Sequence, residues 1–174
     1  MTSLRVTFLV LGLMLMIASG ANAIMGSDPG AWSAPSGDAD LDAGKAAFER
    51  EDWPAVVESM SKVVARRPWD DVGHTLLGLA YRKLGHYDLS LRHYGRALEL
   101  NPHNRGALEY LGEAYLELGQ PAAAEQMLER LRVACIRVAE DGAPWQSECE
   151  EWADLKAAYD AYLGEGPPAA DSAR

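Results

Sequence analysis

The sequence predicts an all-α fold built as a solenoid of helix-turn-helix units. Three observations lead there. Gly44, Gly78 and Gly112 stand 34 residues apart, as do Trp53, Tyr87 and Pro121, Met60, Tyr94 and Leu128, and Val63, Ala97 and Leu131. Between these marks the apolar residues recur at helical spacing, as in Leu77, Gly78 and Tyr81 followed by Ser90, Tyr94, Ala97 and Leu98. Pro68 and Pro102 close successive units at the same interval. A unit with one apolar face cannot bury it alone, so neighbours in a common register must stack.

The register gives three units, 37–70, 71–104 and 105–138. In the first, Ala43, Gly44, Ala47 and Phe48 face inward, and Asp52-Trp53-Pro54 opens the second helix with a capping residue and a proline whose missing N–H costs nothing. Val56, Met60, Val63 and Val64 continue the stripe, and Arg66-Arg67-Pro68 ends it. The second unit turns at Gly85, which ends a helix cheaply. Glu51 holds the corresponding place in the first unit. The third unit has Leu111, Gly112, Tyr115 and Leu118, then Ala124, Leu128, Leu131 and Cys135. It carries Ile136 where a closing proline would fall, so its second helix need not stop there.

Beyond the repeats, residues 139–163 read as a loop and a helix from about Ser147 to Leu163. Trp152, Leu155, Tyr159 and Tyr162 share one face of it, while Glu148, Glu151, Asp154 and Asp160 read as a solvated acidic face. That pattern suits a cap on the last repeat. Gly164 is expected to end the helix, and residues 164–174 are expected to be disordered.

Residues 1–23 read as a secretory signal. Arg5 precedes the apolar run Val6–Ala18, too short to span a bilayer, and Ala21-Asn22-Ala23 offers the small residues of a cleavage site. Cleavage after Ala23 predicts export to a periplasm, with no stable membrane insertion afterwards. Residues 24–36 are rich in Gly, Ser and Pro and read as a flexible leader.

The net charge is −10, from 16 basic and 26 acidic residues. Such a surface repels nucleic acid and favours a basic or neutral protein partner, although an acidic surface by itself usually means only solubility. Export places the two cysteines, Cys135 and Cys149, in an oxidising compartment. A bridge between them would staple the cap to its repeat, worth about 3 kcal/mol for a loop of about 15 residues. Two separate buried thiols are the alternative. The histidines His74, His86, His93 and His103 fall at a helix start, a turn, a mid-helix and a linker, which reads as scatter rather than a metal site. Ser59-Met60-Ser61-Lys62 matches Ser-x-x-Lys but lacks its partner segments, so no catalytic residue, cofactor or metal ligand is assigned and no enzyme is expected.

The spacing His74-x2-Leu77-Gly78-x2-Tyr81, then Ser90-x3-Tyr94, Ala97 and Pro102, resembles the tetratricopeptide repeat, with His74 and Ser90 departing from its usual Trp and Ala. The resemblance implies a right-handed solenoid whose first helices line a concave groove for an extended peptide or a partner helix. Carried over by position, the groove presents Lys45 from the first repeat, Thr75, Leu79, Arg82 and Lys83 from the second, and Glu109, Tyr110, Glu113, Leu116 and Glu117 from the third. It should be apolar with a basic middle and an acidic end. Members that clamp a C-terminal carboxylate need Lys, Asn and Arg at set positions, of which Lys45 alone carries the wanted charge. The run Cys149-Glu150-Glu151-Trp152 with Leu155-Lys156 is also similar to the end of small exported repeat proteins of Gram-negative bacteria, which implies export and a bridge. The function expected is a non-catalytic interaction or scaffold module of the periplasm, with a small-molecule or metal carrier, or an accessory subunit of a periplasmic enzyme, as alternatives.

Overall fold

The computed structural model describes residues 36–138 and 149–165. The signal, nearly all of the leader, the loop 139–148 and most of the tail lie outside the described residues. Among these residues the regular structure is seven helices and no strand: α1 (Ala39–Glu49), α2 (Trp53–Arg66), α3 (Asp71–Lys83), α4 (Tyr87–Leu100), α5 (Arg105–Glu117), α6 (Pro121–Val138) and α7 (Glu150–Glu165). Each of α1 to α6 packs on the next, α3 also touches α5, and α7 lies against both α5 and α6. This is an all-α solenoid of helical repeats.

The helices start where short polar side chains can take the orphan amides. Asp38 accepts from Asp40 N and Leu41 N, Asp52 from Ala55 N, Asp70 from Gly73 N at 2.8 Å and Asn104 from Ala107 N at 2.9 Å. The first helix of each unit ends on one residue at positive φ: Glu51 at 54°, Gly85 at 78° and Gly119 at 70°. The amide bonds around the three are alike. Asp52 N donates to Ala47 O, His86 N to Tyr81 O and Gln120 N to Tyr115 O. This closure satisfies carbonyls that the helix end would otherwise leave bare.

The register is visible in the core. Met60 fills the space over Gly44, and Tyr94, fully buried, fills that over Gly78. A Cβ on Gly78 would stand 2.5 Å from the Tyr94 ring, so these glycines are needed for close approach. The third unit differs. Leu155 of α7 is the side chain nearest Gly112, while Leu128, the residue in register, is half-buried and Met127 and Leu131 are buried beside it. Without a closing proline, α6 runs for 18 residues against 14 in α2 and α4. Its last turn carries Cys135, which is bridged to Cys149 just before α7, with the two Cα atoms 5.9 Å apart.

A polar seam ties α3 to the linker that leads into the third unit. Asp71 Oδ2 accepts from Asn101 Nδ2 at 2.8 Å and from Asn104 Nδ2 at 2.9 Å. Asn104 Nδ2 also reaches Thr75 Oγ1 at 3.1 Å, and Thr75 donates to its own helix at Asp71 O. The linker between α4 and α5 is thus clamped onto α3, which fixes how the two units stack.

Two expectations need correcting. α7 spans Glu150–Glu165, so it starts after Cys149, slightly later than the expected start near Ser147, and it passes through Gly164. One glycine in the final turn costs only about 1 kcal/mol, too little to end a helix by itself. The acidic face of α7 is not uniformly solvated either. Glu151 is 4 % exposed and receives Arg105 at 3.3 Å, whereas Glu150 and Asp154 are exposed and Lys156 is paired with Asp160. Helical spacing shows which residues share a face, but not that a neighbouring repeat comes up beneath it.

Candidate peptide-binding groove

The site expected from the repeat register lies on α1, α3 and α5. Lys45, Thr75, Leu79, Arg82, Glu109, Tyr110 and Leu116 are buried, Glu113 is half-buried, and Lys83 and Glu117 are exposed. Thr75 is fully taken up by the seam to Asn104. Leu76 and Leu79 are core side chains.

The basic middle and the acidic end are joined. Arg82 sits at the end of α3 with its side chain 3 % exposed, and its Nη2 meets Glu113 Oε2 of α5 at 2.6 Å. Its Nη1 lies 3.7 Å from Glu117 Oε1 and donates to Tyr110 O at 3.5 Å, and the guanidinium lies 5.7 Å from the centroid of the Tyr110 ring. A guanidinium can satisfy carboxylate, carbonyl and ring face together because it is planar and carries five donors. Arg82 therefore bridges α3 and α5 and is not a free anchor for an acidic ligand.

Glu109 sits where a buried side chain should not be acidic. It is 3 % exposed and its Oε2 has no hydrogen-bond partner. Burial pushes its carboxyl well above the ordinary range, and Glu113, Asp154 and Glu151 add to the effect. Asp154 is raised as well, by burial and then by Glu150 and Glu113. Sequence reasoning missed Asp154 as part of this surface, because it sits on a helix outside the repeat register. Placing α7 as a continuation of the stack is the signal that would have brought it in.

The histidines correct a further expectation. His74 and His93 are not scattered: their Nδ1 atoms lie 3.0 Å apart, the rings stack, and Tyr81 stacks on His93. His74 Nε2 faces Pro68 O at 3.4 Å. That contact puts the His74 proton on Nε2, so His93 Nδ1–H donates to a bare His74 Nδ1. Residues 74 and 93 lie on the paired helices α3 and α4, which the linear order hides. Among the described residues no three His, Cys, Asp or Glu side chains gather as a metal site, and no helix is long and apolar enough to cross a membrane.

Residues 75–137 match the family described as tetratricopeptide repeat. No curated protein matches the chain. Among solved structures it is similar to the TPR2B domain of yeast Sti1, in a complex with pHsp70, with a TM-score of 0.58 and 21 % identity over 68 % of this chain and 94 % of that one. At that identity the likeness speaks for the fold. Residues 75–137 thus match the tetratricopeptide-repeat model, within a helical solenoid similar in fold to that domain.

Proposed function

We propose that the protein is a non-catalytic interaction module that receives a polypeptide segment along the face of α1, α3 and α5, in the assembly or scaffolding of an envelope complex. Export to a periplasm, with cleavage after Ala23, is part of the reading and is supported by the N-terminal sequence pattern and by the Cys135–Cys149 bridge. The observation that carries the interaction role is the shared face of consecutive first helices in a repeat stack, where Lys83 and Glu117 are exposed and Glu113 is half-buried above the buried Leu79 and Leu116. Such a charged face orients a segment along the repeat stack without any reacting group.

The test uses the exposed rim, because Tyr110 is buried and its replacement would disturb folding. Lys83→Glu reverses an exposed charge, and Glu117→Gln removes another while keeping an acceptor beside Arg82. The altered protein is expected to fold normally and to lose partners captured from a periplasmic extract by the unaltered chain. An identical partner set would remove this face from the account.

A further inference from the structure

The acidic end of this face points to the chemistry of what it binds. We propose that the notch between α5 and α7 takes a lysine or arginine side chain carried on an extended partner segment, with Glu109 as its buried anchor and Glu113 and Asp154 at its mouth. This rests on the reading of the face as a segment-binding surface, and it names the residue type the segment must bring.

The charge balance at the notch is one-sided. Glu113 and Asp154 both act on the buried Glu109, and Glu113 acts on Asp154 as well. Arg82 is the cation that acts on Glu109, and it is already engaged by Glu113 at 2.6 Å and Glu117 at 3.7 Å. Glu151, the other acid beside Glu109, is matched by Arg105 at 3.3 Å. Glu109 Oε2 is therefore left with no donor in a buried place, an arrangement that costs stability and persists only where something compensates. A guest ammonium or guanidinium supplies the missing donor and the missing charge together.

Beside the buried Glu109, the side chain of Glu113 is 27 % exposed and Asp154 is exposed. These two give an arriving cation a favourable potential before it is desolvated. Admission requires them to turn aside, a rotamer change of the kind interfaces commonly make. The long apolar stem of lysine or arginine suits a charge that must be delivered to depth.

The test is selection followed by a double-mutant cycle. A random dodecapeptide library displayed on phage is panned against the immobilised full chain, and the consensus peptide is synthesised. The expected result is a fixed Lys or Arg in the consensus. Replacing it by norleucine should weaken binding to the unaltered protein about tenfold or more. Glu109→Gln should cause a similar loss for the basic peptide and none for the norleucine peptide, so the two changes do not add. Glu109→Gln should also leave the melting temperature unchanged or higher, which separates lost recognition from lost folding. A consensus without a basic residue, or losses that add, would overturn the cationic guest while leaving the segment-binding face in place. Failure to enrich any peptide would overturn that face, and the guest with it.

Discussion

Leu155 of α7 closes over Gly112 of α5, in the place that Tyr94 takes over Gly78 one repeat earlier. A Cβ on Gly112 would stand 2.6 Å from Leu155 Cδ2 and 2.7 Å from Cδ1. The obstacle belongs to a different helix, one that the Cys135–Cys149 bridge keeps close. Gly112→Ala is expected to lower stability by about 1–3 kcal/mol from overpacking, despite the roughly 1 kcal/mol that alanine gains within a helix. Leu155→Ala added to it should recover part of that loss. Urea unfolding of both single variants and the double gives the coupling, and strictly additive losses would show that Leu155 is not the obstacle.

Glu51 is the one described non-glycine residue at positive φ, 54°. Its counterparts Gly85 and Gly119 hold the same closure without a Cβ. The left-handed region costs an L-residue roughly 1–2 kcal/mol. Glycine escapes this but has more freedom to lose on folding, about 0.5–1 kcal/mol. Glu51→Gly is therefore expected to raise stability by about 0.5–1 kcal/mol, seen as a higher melting temperature. Gly85→Glu, the reverse change in the second repeat, should lower it.

These two sites show what the sequence could and could not convey. Glu51 was legible, because the 34-residue register names the position and the mismatch together. The helix pairs, their caps at Asp52 and their stops at Pro68 and Pro102 were legible for the same reason, being local rules repeated at a fixed interval. Leu155 over Gly112 was not. It depends on a helix outside the register, reached through residues 139–148, and the register instead assigns Leu128 to that space. The groove shows the same division. The order of positions gave the residues of the face, but whether Arg82 met solvent or Glu113 depended on how near α5 comes to α3.

The His74–His93 pair predicts a loss of stability on mild acidification. Burial, then the nearby His74 and Arg92, pull His93 down to about 4, and burial also lowers His74. In the unfolded chain both titrate near about 6.5. Between those values the unfolded state holds more protons, so stability falls as pH drops from about 6.5 to about 4. Below that window the pair adds no further loss. His93→Gln keeps a donor for His74 Nδ1 and cannot take up the proton. Its urea midpoint should fall less than that of the unaltered chain between pH 7 and pH 4, by a margin confined to this window. Parallel curves would mean that the pair does not titrate with folding.

Glu109 predicts the opposite sign. Its carboxyl is raised in the folded state, by burial first and by Glu113, Asp154 and Glu151 after it. The folded state then binds the proton more tightly than the unfolded state. The stability this group contributes is complete below the ordinary carboxylate range and is lost as pH rises through the raised value. Glu109→Gln keeps the shape and removes the charge. The gain over the unaltered chain should be small at pH 4 and should grow towards pH 8, reaching roughly 1–3 kcal/mol, the cost of an unsatisfied buried polar group. Urea unfolding at the two pH values separates this from a packing effect, which would shift both equally. The unaltered chain should recover most of the difference at pH 8 when a peptide bearing a lysine for the notch is added, because a ligand that supplies the missing cation stabilises the ionised carboxylate in the folded state alone.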